Sequence, residues 1–572
     1  MKPSLSRRLE KLEQCRHCYG HGCAAEVERL LRSFTGVEAH DVASLIRFHD
    51  VLLFFRAFPQ SRRVAVLAEK LLSGIDRQMT LLREEGADWE QFDDEQFSGI
   101  AGTVVRDTFT YEVAQWLEQQ YPEQISVEWN IDEQARPMAI GLPQLMPLIA
   151  DDSLVEADTP YLDWLDNAAG GEDKILVWLL RRVNSLPVPI LQKTSLYDGL
   201  RISINWELGD SDATRTRMRR NPAQMYYHRE PLIQRKQVAL AEELEAASLP
   251  VRKLSRSEGA GLLDQVKAAL TVRYRELYGT TRGDPSSVVE ADVGRGVHIF
   301  LWGLPPERRL PLRAYHAGIT FKNGVPINYI EGISLFEWME VGFNTFYAFR
   351  DGETAWIYSK VLHLLHQLTG VTTISVYPYQ LGHDNEEAIK SGAFWFYRKL
   401  GFRPGRPELL ALTEREETKM ARNASHRTSA SALRKLASHH VFFEFGNGPR
   451  GSWDTFSTRN LGLAVQQSLA RRFRGDPEAM RLATTAALAK TLGVDTEKMT
   501  ALQLSALQNF ALILSLVPEL QHWSAADKGS LTAIIRAKTA PVETTYLREL
   551  QRHASLRKAL LHLGSANPAA AA

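Results

Sequence analysis

Lys322-Asn323-Gly324 stands between two apolar-rich runs, residues 312–321 and 325–334. Asn-Gly at such a junction favours a tight turn with positive φ at both central positions, which folds one strand back on the next. This stretch must therefore build antiparallel sheet. Further strand-like runs lie at 297–303 before the hairpin and 341–349 after it. Residues 249–254 read as an earlier strand, followed by a helix over 259–278 that Ser257 can cap. Beyond the strands the pattern predicts a helix over 353–368 closed by Gly370, a strand at 372–377 and a helix over 386–400; Phe402 then opens a last strand. One strand, one helix, a meander of strands, then helix, strand, helix, strand is an α/β arrangement around a mixed sheet.

A chain of 572 residues is too long for one core. Residues 1–135 read as a helical domain, with apolar residues at helical spacing over 42–55, 62–82 and 108–120 and a short alternating strand at 126–132. Residues 136–245 are poorly periodic and form an irregular α/β connecting region. The mixed sheet occupies 246–412. Residues 415–565 return to helices at 458–472, 477–492, 501–516 and 545–563, and Leu507, Phe510, Leu514 and Val517 make one apolar stripe. The tail at 567–572 should fray.

Charge narrows the partners. Lys+Arg 68 balance Asp+Glu 68, so no global field holds a polyanion and nucleic acid is not an expected partner. No apolar run reaches the length of a membrane span, so no membrane partner is expected. The basic start, Met-Lys-Pro-Ser-Leu-Ser-Arg-Arg, leads into a charged helix and not into the apolar segment of a secretory signal; a cytoplasmic location is expected. All 3 cysteines fall together, Cys15, Cys18 and Cys23, with His17 and His21 between them. An odd count packed so closely is a poor disulfide framework, and zinc sites usually draw a second ligand pair from a distant segment. Reduced, partly buried cysteines and no metal are expected. Residues 215–220, rich in arginine, with Tyr226 and Tyr227 could grip a phosphate or form a solvated charge run.

The segment Ala393-Phe-Trp-Phe-Tyr397-Arg-Lys-Leu-Gly401-Phe402 reads as a helix stopped by glycine. Ala393 and Tyr397, four apart, share one face, where the small residue lets something flat approach beside the phenol. This segment and the element order over 249–412 resemble the GNAT superfamily of N-acyltransferases. The resemblance implies a GNAT-like mixed-sheet domain flanked by mainly helical domains. It also implies transfer of an acyl group, acetyl or another, from acyl-coenzyme A to an amine on a small molecule or peptide, with no metal. Tyr397 would then lie by the coenzyme sulfur and protonate the leaving thiolate, while Glu331, on the run 325–334, would take the amine proton through water. Read as packing, Tyr397 is a core tyrosine and Glu331 an outward strand residue.

The turn Phe349-Arg350-Asp351-Gly352-Glu353-Thr354-Ala355 sits where a strand meets a helix N-terminus, whose free N–H groups suit a pyrophosphate. Arg350 can add a charge-assisted bond, Gly352 allows close approach, and Thr354 and Ala355 are small. The match to the family's loop is loose: only Gly352 is present, Arg350 lies nearer to it than the family spacing, and Asp351 and Glu353 repel a phosphate unless they turn away. Where many GNATs carry an asparagine seven residues before the tyrosine, this chain has Lys390; Asn385, further upstream, could contact the pantetheine arm or cap a helix. Trp338, Tyr347, Trp356 and Trp395 add aromatic area suited to a partly apolar acceptor or a large core. Two other readings stand beside the enzyme: a non-catalytic binding or scaffold protein on a degenerate GNAT fold, and a transferase of two GNAT-like halves. Nothing before residue 245 repeats Lys-Leu-Gly-Phe, which sets the last one lowest.

Overall fold

The computed structural model describes residues 5–39, 41–147, 149–150, 152, 161–446 and 448–565; the tail expected to fray lies outside the described residues. The chain divides into two compact units, residues 1–231 with 264–281, and residues 232–263 with 282–572.

Among the described residues the first unit carries three strands, β1 (Val104–Asp107), β2 (Ile125–Glu128) and β3 (Ser203–Glu207), in the order β1-β3-β2, all antiparallel. β3 comes from the region expected to be an irregular connector and pairs with both strands of the first 135 residues, so these two segments share one sheet. Trp206 on β3 is fully buried among Leu117, Leu179 and Tyr197. Helix Val42–Ala57 starts where the Asp41 side chain accepts from Ser44 N at 2.7 Å, and most of it is buried. The run expected as one helix over 62–82 is two, Arg62–Leu72 and Ile75–Glu84, broken at Gly74, a poor helix former. Three arginines of the run are engaged with the protein itself. Arg215 is buried and donates to Gln96 O at 2.6 Å and Ser98 O at 3.0 Å. Arg217 pairs with Asp210, and Arg219 with Glu69 at 3.1 Å.

The cysteines also depart from expectation. Cys18 and Cys23 form a disulfide, and Cys15 is free and buried. Gly20 and Gly22, at φ of 103° and 84°, fold the short loop so that the two Cα atoms come within 5.6 Å, a closure that cysteine counting does not see. Among the described residues no group of three or more His, Cys, Asp or Glu could hold a metal ion, and no helix is long and apolar enough to cross a membrane.

The second unit is mixed α/β. Its sheet has nine strands: β4 (Val251–Lys253), β5 (Val289–Asp292), β6 (Val297–Trp302), β7 (Ala314–Lys322), β8 (Val325–Leu335), β9 (Trp338–Thr345), β10 (Thr373–Val376), β11 (Arg403–Pro404) and β12 (Val441–Glu444). Their order is β11-β12-β10-β9-β8-β7-β6-β5-β4, and among the described residues only β9 and β10 run parallel. Asn323 and Gly324 turn β7 into β8 with φ of 50° and 80°. Every residue of β7 is buried, as befits a central strand. Helix Thr354–Thr369 ends at Gly370, φ 76°, and lays Tyr358 against Phe343 of β9, ring centroids 4.9 Å apart. The C-terminal helices belong to this unit: Arg309 donates to Lys538 O and Ala540 O, Tyr546 to Leu312 O, and Arg557 pairs with Glu337.

Several boundaries move. β12 lies beyond residue 412, yet it inserts between β10 and β11, so the sheet is not closed within 246–412. The helix expected over 386–400 is two short ones, Glu386–Ser391 and Ala393–Arg398, because Gly392 at φ 67° takes the left-handed conformation between them. The last helix is likewise split into Glu543–Gln551 and Ala554–Ser565, where His553 Nδ1 receives the Leu556 N–H at 3.2 Å. Ser255, not Ser257, caps helix Arg256–Thr271, through reciprocal bonds with Glu258.

Candidate functional site

β9 and β10 pair over a short stretch only. Thr373, Ile374 and Ser375 stand opposite Trp338, Met339 and Glu340; β10 then ends at Val376 and turns into the short helix Pro378–Leu381, while β9 continues to Thr345. Gly342 lies in the stretch of β9 beyond this pairing. A Cβ there would sit 3.0 Å from Gln380 Nε2 and 3.7 Å from Glu331 Cβ, so the missing side chain makes room for the glutamine amide. Gln380 Oε1 in turn accepts from the Tyr397 hydroxyl at 3.2 Å. Glu331 is the cross-strand partner of Gly342 and therefore shares its face. Gln380 thus links Tyr397 to the spot on the sheet that Glu331 and Gly342 share.

Their surroundings tune them. Glu331 is half-buried, and the Tyr315 hydroxyl donates to its Oε1. Burial pushes its carboxyl above the usual carboxylate value, against the opposing Tyr315 bond. Tyr397 is only 5% exposed and packs by its edge against Tyr358 at 5.8 Å and Phe402 at 5.7 Å. Burial raises its phenol well above the ordinary tyrosine value, which keeps it protonated across the neutral range. The same face of β9 carries Glu340, whose Oε2 lies 2.6 Å from His440 Nε2.

The turn before helix Thr354–Thr369 is more committed than its sequence suggests. Phe349 is buried, and Arg350 stacks on the Tyr347 ring at 3.8 Å and pairs with Glu387. Glu387 also accepts from the Tyr347 hydroxyl at 2.7 Å. Glu353 turns inward: it is fully buried, pairs with Arg295, lies 3.5 Å from Lys322 Nζ and accepts from Ile233 N at 3.1 Å. Desolvation takes the Lys322 ammonium down to about 7 in spite of Glu353. With that carboxylate removed, the first turn offers Gly352, Thr354 and Ala355, and no side chain caps it. Tyr358, one turn on, links this helix end to Tyr397.

Asn385 is a cap: its Oδ1 accepts from Ala388 N at 3.1 Å and its Nδ2 donates to Tyr379 O at 3.1 Å. Ala393 opens the short helix one turn before Tyr397, on the same face. Sequence reasoning singled out neither Gln380 nor Tyr315. Tyr315 escaped because only the register slip between Thr320 and Phe321 brings it onto the Glu331 face; Gln380 carries no sequence signal, because its place depends on where β10 stops. Comparison with protein-family models, curated proteins and solved structures finds no match to this chain.

Proposed function

We propose that the chain is an acyl-coenzyme A-dependent N-acyltransferase of GNAT type that moves an acyl group, most simply acetyl, to an amine. The observation that carries this reading is Gln380, which lies over Gly342 and accepts from the Tyr397 hydroxyl, while Glu331 stands cross-strand from Gly342, beside the stretch of β9 that β10 leaves unpaired. Amine acylation needs one group to accept a proton from the attacking nitrogen and another to give one to the departing sulfur. Glu331, with its carboxyl raised by burial, suits the first task, and the Tyr397 phenol, protonated at neutral pH, is the donor at hand for the second, although its burial makes it a weaker acid.

The co-substrate supplies the thioester. Its pyrophosphate suits the uncapped start of helix Thr354–Thr369, where Gly352, Thr354 and Ala355 are small and Glu353 faces the interior. Phe349 is buried at the turn, and Ala393 is the small residue one turn before Tyr397. Arg350 reaches a phosphate only by leaving Glu387. A cytoplasmic location belongs to the same proposal.

A second reading, a binding or scaffold protein on a degenerate GNAT fold, draws on three commitments: the Tyr397 hydroxyl to Gln380, Arg350 to Glu387, and Asn385 to its cap. Thiol release from acetyl-coenzyme A with a panel of amines separates the two. The enzyme reading expects amine-dependent release that Tyr397→Phe suppresses; release absent with every amine, from protein that binds the coenzyme, favours the scaffold.

A further inference from the structure

In the first unit the strand β2 pairs with β3 on one side and with no other strand among the described residues. An edge strand directs alternate backbone N–H and C=O groups outward, a template for one more strand. A cavity of about 550 Å³ adjoins it, touching Ile125, Ser126 and Val127. Successive strand side chains point to opposite faces, so a cavity that meets three in a row runs along the edge and not over one face. Leu176 and Val177 of helix Ile175–Ser185 form part of the same lining, and Trp129 adds an aromatic surface.

The charge of this groove has one sign. Glu118, Glu172 and Asp173 line it, and none of the three makes an ion pair among the described residues. Glu172 and Asp173 are exposed, so they are hydrated and ready to meet a cation without a large desolvation cost. A polyanion is repelled here. A small ammonium ion satisfies the carboxylates but leaves the strand edge and the apolar wall unused.

We propose that the groove beside β2 takes an extended peptide segment carrying lysine or arginine, added to the sheet as a fourth strand. Backbone bonds to the β2 edge give the register, alternate apolar side chains meet Leu176 and Val177, and the cationic ones meet the carboxylates and the face of Trp129. This surface is independent of the acyltransferase reading.

The test uses the full chain and a fluorescein-labelled, end-blocked peptide alternating lysine and valine. Anisotropy reports binding, and hydrogen exchange reports the β2 amides. The expected result is saturable binding with slowed exchange at Ile125–Glu128. Reversing two exposed carboxylates, Glu172→Lys with Asp173→Lys, should weaken binding about tenfold, as rim charge pairs do. Methylating alternate backbone nitrogens of the peptide should weaken it by a similar factor. Circular dichroism checks that the double variant is folded. Absence of saturation up to about 1 mM peptide, the weak end of the affinity scale, overturns the proposal. So does binding that the methylated peptide or spermine reproduces with no slowing at β2, since that is a cation site without strand addition.

Discussion

Tyr397 and Gln380 are joined hydroxyl to carbonyl at 3.2 Å, and the amide end of the same glutamine fills the space over Gly342. The phenol is therefore held on both counts, by ring packing against Tyr358 and Phe402 and by one polar bond at its tip. In the acyltransferase account Gln380 orients the hydroxyl and must yield it when sulfur needs the proton.

Tyr397→Phe tests that account, since it keeps the ring and deletes the donor. Coenzyme binding should persist while turnover falls by about a hundred- to ten-thousand-fold, the usual range for a lost general acid. Steady-state kinetics read this directly. An unchanged turnover number removes Tyr397 from the chemistry.

Glu331 sets an expectation for pH. Its carboxyl is raised above 4.5 by burial, and a base must be ionised to accept a proton, so kcat/KM should climb with pH along a limb displaced above 4.5. Glu331→Gln should lower the rate and abolish that limb. A limb that survives the substitution belongs to another group.

Glu353→Gln probes the buried ion cluster. The amide preserves shape, but it leaves Lys322 buried and facing Arg295 without a counter-charge. Breaking a buried pair in this way typically costs about 3–5 kcal/mol, visible in denaturant unfolding. A loss below about 1 kcal/mol shows that Lys322 sheds its proton in the variant, as its value of about 7 beside Glu353 allows, or that solvent screens the site.

His49 makes a separate prediction about stability in acid. Its imidazole is fully buried, with Nε2 3.0 Å from Thr216 Oγ1, and desolvation lowers its value from 6.5 to about 4. Between those two pH values the unfolded chain binds the extra proton and the folded one does not. Stability therefore rises with pH across this window, and acidification from 6.5 to 4 costs up to roughly 3 kcal/mol. His49→Gln should flatten the pH dependence over this window by a comparable amount. Equal slopes in the two proteins contradict the assignment.

Local chemistry made much of the fold legible and packing hid the rest. Asn323-Gly324 takes its positive φ values, and Gly370 and Gly401 also lie in the positive-φ region at their stops. Helix Pro477–Leu492 keeps its expected bounds because Asp476 caps its start and Gly493 its end. The irregularity in β7–β8 between Thr320 and Phe321 was not legible. Counted from a regular two-residue turn, Glu331 falls opposite His316; the slip puts Ala317 there instead and brings Tyr315 onto the Glu331 face. Nor does sequence say which way Glu353 points, since a first-turn carboxylate can equally meet solvent or turn into a waiting Arg295 and Lys322. The strand β12 escaped because Phe442 and Phe443 fall in a continuous apolar run between charged segments, without the alternation that marks a half-exposed strand.

Calorimetric titration of the full chain with acetyl-coenzyme A, followed by a longer acyl-coenzyme A, tests whether the chain holds an acyl-coenzyme A at all. The account predicts saturable one-to-one binding that Tyr397→Phe retains and that Gly352→Val weakens by crowding the helix start. Folded protein that binds neither coenzyme contradicts it.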